Sequence, residues 1–432
     1  MKFPKTKRDD TKDVIFGHTI FDPYRWLEDP ESADTKEWID LQNARVDGSL
    51  RTENFGIFSD ELAQNLKTVD FSSPRIVKGK YFYQKRDINE DHYVFYVKEG
   101  INGSPIRLID PNGMNKGNTI SLDFCYQSRT GKYVAYGLSE DGTEMSTMYI
   151  KNVETTENLV DQIPQCRYSS VCWIPDDSGF FYTRNPRVGT VPKDEEHLHT
   201  KVYFHKLSEN PENDELIFGA HRPKDDMVSL GLSLDGRYLS IRAGQKFAEH
   251  DVYIYDNTTK ETKPLVIGIP AHFITSFLKD RVLLLTNYKA NNYRVLSVPL
   301  KNLFTHIDEW SELIPQTENL LESISATKDK ILAEYLVNAC SKVIIFDYDG
   351  MGKGEIPLPA FSRISGIAAY REEREFFYSV SSFVIPRAIY RYLPEEDRFA
   401  EYLKASNPVN PDNYVVKQEW YKSKDGTDVP MF

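Results

Sequence analysis

The chain has 432 residues, of which 40% are hydrophobic and 13% aromatic, and 53 Lys and Arg against 65 Asp and Glu give it a formal net charge of -12. This length allows two to four average domains, or one large β-rich domain with a smaller piece. The acidic balance argues against nucleic acid and membrane as partners, because phosphate backbones and anionic lipids repel negative charge.

The N-terminal segment MKFPKTKRDDTKDV contains no apolar stretch that could act as a signal peptide, and no run approaches the roughly 18 apolar residues of a membrane span. The four cysteines are scattered: Cys125, Cys166, Cys172 and Cys340. Cys166 and Cys172 are near enough in sequence to meet, but buried free thiols are the favoured interpretation. We therefore expect a soluble protein of the cytoplasm.

Residues 1–72 are predicted to form a helical arm. An extended, proline-containing stretch leads into a helix over Ala33–Leu50, for which Asp34 and Glu37 suggest a capping box. Its apolar face has four members: Trp38, Ile39, Leu41 and Val46. A second short helix is predicted over Phe58–Val69. Two such helices bury too little surface to fold alone, so they need a larger body to pack against.

Residues 73–418 repeat one pattern seven times. A turn is followed by an aromatic or β-branched strand, and these units begin at Gly79, Gly131, Ser178, Asp235, Asp280, Asp329 and Glu373. A second strand follows in each unit, and the units are spaced by about 44–57 residues, as in propeller blades.

A four-stranded unit of this kind cannot bury both of its faces alone, whereas a radial arrangement packs each sheet on its neighbours. The repeat therefore predicts a mainly β fold, a seven-bladed β-propeller preceded by the short α-helical arm. A pair of β-sandwiches and a β-solenoid are the alternatives.

The last segment, residues 419–432, reads as a hairpin. Trp420–Lys424 is predicted as a strand, Asp425 and Gly426 as a tight turn, and Asp428–Phe432 as the returning strand. Because the returning strand is short and needs pairing, we expect this hairpin to open a further domain.

A search for catalytic motifs gives little. The G-x-S-x-G pentad of a serine hydrolase is absent, and the nearest sequences, GLSED at Gly137 and GLSLD at Gly231, lie beside blade turns. There is no G-x-G-x-x-G and no phosphate-binding loop motif. We therefore expect no cofactor and no catalytic residue within the chain. Paired carboxylates for glycoside hydrolysis stay open as an alternative, because spacing in sequence does not report distance in space.

The segment KDEEHLHTKVYFH gathers five metal-ligating side chains: Glu195, Glu196, His197, His199 and His205. His197 and His199 would share one face of a strand, which makes a metal site conceivable. The segment is polar and offers no H-E-x-x-H helix, so a solvated blade loop and no metal are the favoured interpretation.

Two motifs near the ends carry a resemblance to a known family. DPYRWLEDPES (Asp22–Ser32) with TKEWIDLQNA (Thr35–Ala44), and the closing YKSKDGTDVPMF, resemble prolyl oligopeptidases, with LEDPES closer to the prolyl group than to the related oligopeptidases B. The resemblance implies that the arm and the segment after the propeller belong to one α/β-hydrolase domain. It also implies that the Ser-Asp-His triad lies beyond Phe432. Without that domain, Trp26, Leu27, Trp38 and Leu41 are expected to face water.

The resemblance also implies a substrate site on the propeller. Tyr168 in CRYSSVCW and Met227 in KDDMVSL stand where apolar side chains line the substrate pocket in the family. Gln245 in RAGQ stands where such enzymes can carry a cysteine. Ordinary blade packing is the alternative role for Tyr168 and Met227.

The expected function is thus the propeller portion of a serine endopeptidase that cleaves short peptides after proline. The propeller would act as a lid that admits peptides by size, and this chain alone would be inactive. Its expected partners are short proline-containing peptides and the missing peptidase domain, and it is expected to be a monomer. The alternative is a stand-alone propeller that binds peptides or proteins without catalysis.

Overall fold

The computed structural model describes residues 3–52, 54–246, 249–405 and 410–432. The chain divides into two compact units, one ending at Thr68 and the other running from Val69 to Phe432. Neither α-helix in these described ranges has the combination of length and hydropathy that crossing a bilayer requires.

The first unit contains a small hairpin and two helices. Its elements are β1 (Lys12–Ile15), β2 (His18–Phe21), a 3-10 turn (Arg25–Glu28), α1 (Ala33–Leu50) and α2 (Phe55–Leu66). β1 and β2 pair antiparallel, joined by Phe16 and Gly17, both at positive φ.

The helix α1 begins and ends where the sequence predicts, but its cap differs. Ser32 is the N-cap, and its Oγ accepts a hydrogen bond from the Thr35 N–H at 3.2 Å. The predicted capping box of Asp34 and Glu37 is therefore wrong, because the helix already begins at Ala33 and Asp34 lies within its first turn. The second helix starts at Phe55, three residues earlier than predicted.

The expectation that four apolar side chains of this unit face water holds for only one of them. Leu41 faces solvent. The expectation is wrong for Trp26, Leu27 and Trp38, which are half-buried. Both indoles are held within the unit, because Trp26 Nε1 donates to the Lys7 carbonyl and Trp38 Nε1 donates to Thr6 Oγ1. The large apolar side chains of α2 are all exposed: Phe55, Ile57, Phe58, Leu62 and Leu66.

The second unit is built from seven antiparallel sheets, each made of consecutive strands, followed by a hairpin. Blade 1 comprises β3 (Asp70–Phe71), β4 (Arg75–Val77), β5 (Lys80–Arg86), β6 (Val94–Glu99) and β7 (Ile106–Ile109). Blade 2 comprises β8 (Ile120–Gln127), β9 (Tyr133–Glu140), β10 (Thr147–Asn152) and β11 (Asn158–Ile163). Blade 3 comprises β12 (Val171–Trp173), β13 (Gly179–Arg184), β14 (Lys201–Lys206) and β15 (Glu215–Phe218). Blade 4 comprises β16 (Met227–Leu232), β17 (Tyr238–Lys246), β18 (Glu249–Asp256) and β19 (Glu261–Val266).

The remaining blades follow the same plan. Blade 5 comprises β20 (Phe273–Phe277), β21 (Arg281–Thr286), β22 (Arg294–Pro299) and β23 (Ser311–Ile314). Blade 6 comprises β24 (Leu320–Ala326), β25 (Ile331–Val337), β26 (Cys340–Phe346) and β27 (Gly352–Glu355). Blade 7 comprises β28 (Arg363–Ala368), β29 (Phe376–Ser381), β30 (Ala388–Leu393) and β31 (Arg398–Lys404). The predicted mainly β, seven-bladed propeller is confirmed.

The hydrophobic core lies between neighbouring blades. One cluster joins Met148 and Ile150 of blade 2 to Trp173 and Phe180 of blade 3. The second strand of blade 3 is buried along its whole length. Each twisted sheet thus covers the next one, which is how a four-stranded unit buries both faces.

Among the described residues, the sheets of blades 1 and 7 share no strand. The junction between these two blades is therefore made by side-chain contacts. Tyr81 of blade 1 meets the Phe377 ring edge-on at 6.1 Å. At the two ends of the propeller, Val69 and Ala405 pack against the same cluster. An ion pair between Asp70 and an arginine of blade 7 also crosses the junction.

The C-terminal hairpin is confirmed. It consists of β32 (Glu419–Lys422) and β33 (Asp428–Met431), paired antiparallel around Gly426, which has a φ of 85°. The Phe432 ring lies against two phenylalanines of the propeller, with ring centres 5.8 Å from Phe361 and 5.4 Å from Phe383.

Candidate functional site

The structure brings the three predicted site residues to one end of blades 3 and 4. Tyr168 precedes the first strand of blade 3, and Met227 begins the first strand of blade 4, opposite Gly244 in the register. Tyr168 and Met227 line one cavity of about 240 Å³. Gln245 lines a second cavity of about 330 Å³, and Asp226 lines both. The three side chains therefore surround two cavities that share a wall.

Tyr168 is held in a constrained position. Its backbone is left-handed, with a φ of 48°, and its side chain is 67% exposed. The phenol donates to the Glu144 carboxylate, and Arg167 donates to the same oxygen at 2.9 Å. The Arg167 guanidinium also stacks 4.7 Å from the centre of the Tyr168 ring. These contacts fix an aromatic ring at the rim of the cavity, and the hydrogen bonds from Tyr168 and Arg167 lower the pKa of Glu144.

The shared wall contains a buried carboxylate. Asp226 is 4% exposed, and its Oδ2 accepts from Arg222 Nε at 2.5 Å. Arg222 also donates to Asp251 at 2.8 Å. The other oxygen, Asp226 Oδ1, has no hydrogen-bond partner among the described residues, and burial raises the pKa of Asp226 despite the nearby guanidinium. An unpaired, buried carboxylate oxygen therefore lies in the residue next to the exposed Met227.

The cavity beside Gln245 has a neutral histidine in its wall. His250 is buried, and the pKa of its imidazole falls to about 4 because of burial, the charge of Arg242 and the neighbouring His272. The two imidazole centres lie 5.0 Å apart. Arg242 is held by Ser229, whose Oγ accepts from its Nε at 2.9 Å. No motif in the sequence signals this group, because His250 and His272 meet only through the packing of blades 4 and 5.

The segment before β14 is a loop, as predicted, but of its predicted members His197 is exposed while Glu195, Glu196 and His199 are half-buried. Glu195 accepts from His199 Nε2 at 2.7 Å and from the Lys224 ammonium at 2.6 Å. Across the described residues, no group of three or more His, Cys, Asp and Glu side chains is arranged to hold a metal ion.

The interpretation as a solvated loop is wrong for His205, which is fully buried inside β14. Its Nδ1 lies 2.8 Å from Asp214 Oδ1, and its Nε2 lies 2.9 Å from Asp161 Oδ1. Burial alone would lower the pKa of His205, but the hydrogen bonds to these two carboxylates raise it to about 9. The imidazolium therefore links blade 3 to the outer strand of blade 2. Its strand, β14, alternates polar and aromatic residues, so its sequence does not show which way His205 points.

Comparison with known proteins identifies the family to which this fold belongs. The sequence profile described as the N-terminal beta-propeller domain of prolyl oligopeptidase matches residues 4–403. The chain belongs to the prolyl oligopeptidase family. Its similarity to a prolyl endopeptidase of Elizabethkingia meningoseptica is 30% identity over 440 aligned positions, covering 100% of this chain and 61% of the relative. A prolyl endopeptidase of Dictyostelium discoideum is 26% identical, with 100% of this chain and 67% of the relative covered.

Solved structures of the family have the same fold. One comes from a study of two prolyl endopeptidases and the role of their inter-domain dynamics in catalysis and specificity. It superposes with a TM-score of 0.93 at 28% identity, covering 99% of this chain and 64% of that one. Prolyl oligopeptidase B from Galerina marginata, bound to a 25mer macrocyclization substrate, gives 0.87 at 21% identity, again covering 99% of this chain and 64% of that one. The chain thus spans less than two thirds of the length of most of these relatives.

Proposed function

We propose that this chain is the arm and propeller portion of a prolyl oligopeptidase-like serine endopeptidase. The whole enzyme hydrolyses short peptides on the carboxyl side of proline, and the propeller restricts access by size. This chain alone has no peptidase activity. One observation carries the proposal: the alignment to prolyl endopeptidases covers the full chain. The family-implied residues Tyr168 and Met227 support it, because they line one cavity.

The cavity chemistry supports contact with a short peptide. The Tyr168 ring and the Met227 thioether provide adaptable apolar surface, which suits a proline or another apolar side chain. The exposed Gln245 amide, which lines the neighbouring cavity, both donates hydrogen bonds to a peptide backbone and accepts them from it. A few polar groups in an otherwise apolar wall fix the orientation of a ligand.

The proposed peptidase domain has surfaces to pack against. The first unit exposes the apolar side chains of α2, and among its described residues Thr35 alone is buried. In the C-terminal hairpin, Trp420 is 48% exposed and Tyr421 is 52% exposed. Contiguous exposed apolar surface of this kind marks an interaction site. We assign both surfaces to the α/β-hydrolase domain that the longer relatives have room for.

We also propose that the protein is a cytoplasmic monomer that needs no cofactor. All four cysteines are free thiols, as the sequence predicts, although only Cys166 is fully buried. Unpaired thiols are typical of reducing compartments.

Hydrolysis of a short Gly-Pro fluorogenic peptide tests the function. The 432-residue chain is assayed beside a version extended to the natural stop codon of its gene. We expect turnover by the extended version only, and its loss after treatment with a serine-directed inhibitor. Turnover by the short chain that survives this inhibitor would overturn the proposal. If neither version turns over and the short chain still binds the peptide, the alternative of a non-catalytic peptide-binding propeller is correct.

The site is tested in the extended version. Met227→Ala removes the exposed thioether, and we expect KM to rise several-fold with a smaller change in kcat. Met351→Ala is the matched control, because Met351 is also exposed but lies in blade 6. An equal effect of both substitutions would remove Met227 from the proposed site.

A further inference from the structure

A small cavity of about 110 Å³ lies on the axis of the propeller. Residues of blades 1, 2, 3, 4 and 7 form its wall, among them Arg75, Gln127, Arg129, Cys172, Leu232 and Arg371. The first strands of the blades converge at the axis, so side chains from all these blades can meet there. The cavity is therefore part of the central channel.

This cavity lies at the opposite end of the first strands from the candidate site. The strand β16 begins at Met227, in the candidate site, and ends at Leu232, in the axial cavity. Five residue steps at about 3.3 Å each separate the two by roughly 17 Å. The two sites are thus distinct.

Two arginines cross the channel here. Arg371, in the segment between β28 and β29 of blade 7, donates to the Leu232 carbonyl of blade 4 at 3.1 Å and to the Phe277 carbonyl of blade 5. Arg129, which follows the first strand of blade 2, donates to the Ser233 carbonyl of blade 4 at 3.1 Å. These partners are neutral carbonyl groups, so they fix both guanidinium groups in place without neutralising their charge.

The charge at this point is strongly positive. Arg75 lies with its guanidinium 5.3 Å from the Tyr370 ring centre, and in the described part of the chain neither Arg75 nor Arg371 forms an ion pair. Glu372 lies 3.8 Å from Arg129, but it is shared with Lys78 at 3.6 Å. Burial and the charges of Arg129 and Arg75 lower the pKa of Arg371 to about 10, so it is still protonated at neutral pH. Arg129 and Arg371 are half-buried and Arg75 is exposed, and gathering like charges in this way is costly unless a counter-charge joins them.

We propose that the axial cavity binds a small oxyanion, a carboxylate or a phosphate, through Arg75, Arg129 and Arg371. Planar guanidinium groups match the oxygens of both anions with paired hydrogen bonds. The volume is sufficient, because one water needs only about 10–15 Å³ of such space. Gln127 is also among the lining residues, and its amide N–H groups add hydrogen-bond donors to the wall.

The oxyanion has two possible sources, a free inorganic anion or the carboxylate of a peptide. Thermal unfolding of the 432-residue chain distinguishes them at constant ionic strength. Inorganic phosphate, N-acetylglycine and the neutral amide of N-acetylglycine are each compared with chloride. We expect saturating phosphate or N-acetylglycine to raise Tm by about 2 °C or more, and the neutral amide to leave it unchanged. Titration calorimetry is expected to give one anion per chain.

Arg75→Gln is the main variant, because the Arg75 side chain forms no hydrogen bond with a described residue, so its replacement removes charge without removing such a bond. It is expected to abolish the anion-dependent rise in Tm. Arg371→Met is a second variant with the same expected loss. Arg237→Gln is the matched control. Arg237 lies in the turn after β16 at the same end of the propeller, but it is exposed and paired with Asp256 at 2.9 Å.

A response to phosphate alone assigns a free anion, and a response to N-acetylglycine alone assigns a peptide carboxylate. Both outcomes support the site. Equal Tm shifts in the unmodified chain, Arg75→Gln and Arg237→Gln would overturn it, because anions that are excluded from protein surfaces stabilise all three alike. Peptidase activity does not enter this experiment, so its result is independent of the proposed function.

Discussion

Replacing His205 tests whether a buried imidazolium between two carboxylates stabilises the contact of blades 2 and 3. His205 is fully buried, and it faces Asp161 on β11, Asp214 just before β15 and the Phe180 ring on β13. The phenol of Tyr182 donates to the other oxygen of Asp214 at 2.7 Å. Each carboxylate therefore depends on the imidazole for part of its hydrogen bonding.

The magnitude follows from the raised pKa. An unfolded histidine titrates near 6.5, and in the folded protein the pKa of His205 is about 9. A difference of about 2.5 pKa units at about 1.4 kcal/mol each gives roughly 3.5 kcal/mol, of which about 3 kcal/mol is present at pH 6.5, where the unfolded histidine is half protonated. Because the folded pKa is the higher one, this stabilisation is fully present below pH 6.5 and is lost as the pH rises through 9. Asp161 has the opposite pH dependence. Burial alone would raise its pKa, but hydrogen bonds from His205 and the Ser208 N–H lower it, so the stability that Asp161 contributes is lost in acid.

Urea denaturation from pH 6 to 9.5 measures this effect. We expect His205→Gln to lower the free energy of unfolding by about 3 kcal/mol at pH 6.5, a midpoint shift of about 1 M when the urea dependence is about 3 kcal/mol per M. At pH 9.5 the variant and the unmodified protein should converge. His306→Gln is the control, because His306 is exposed. A constant difference between His205→Gln and the unmodified protein across this pH range would refute the reasoning.

Three further predictions concern stability. Phe377→Ala removes a fully buried side chain at the junction of blades 1 and 7 and should lower the free energy of unfolding by about 3–5 kcal/mol. Val160→Ala, at an 80% exposed position, should change it little. Equal urea midpoints for both variants would contradict this prediction. Ser32→Ala removes the N-cap of α1 and should cost about 1 kcal/mol, seen as faster amide hydrogen exchange in the first turn of that helix. In limited proteolysis, residues 1–70 should be cut before residues 75–415, because so little of the arm is buried, and equal resistance of both segments would count against a missing partner for the arm.

The sequence predicts the middle of each blade better than its edges. The seven repeated pairs of strands correspond to the second and third strands, which are packed between neighbouring sheets. In blade 3, β13 is buried throughout and reads as a continuous aromatic run. The outer strand β27 of blade 6 has the sequence GKGE and is fully exposed, so neither alternation nor propensity marks it. The number of blades could be predicted because the inner pairs repeat, and the other strands then follow from pairing with them.

The site could be predicted only in part. Tyr168, Met227 and Gln245 came from resemblance to a family, and each lies on a different segment of the chain. Their polar neighbours Asp226 and His250 could not be predicted, because the contacts between blades that bury them have no sequence spacing. The helix α1 shows the opposite case, since its bounds follow from local propensity, yet a nearby serine rather than the predicted aspartate caps it.

The closeness of Val69 and Ala405 has a consequence for the history of the gene. The chain enters and leaves the propeller at neighbouring points, since both residues pack in one cluster. A segment with adjoining ends can be inserted into a host domain, or excised from it, without stretching the host chain. Residues 69–405 therefore form a segment that recombination can transfer as one piece between host domains with different chemistry.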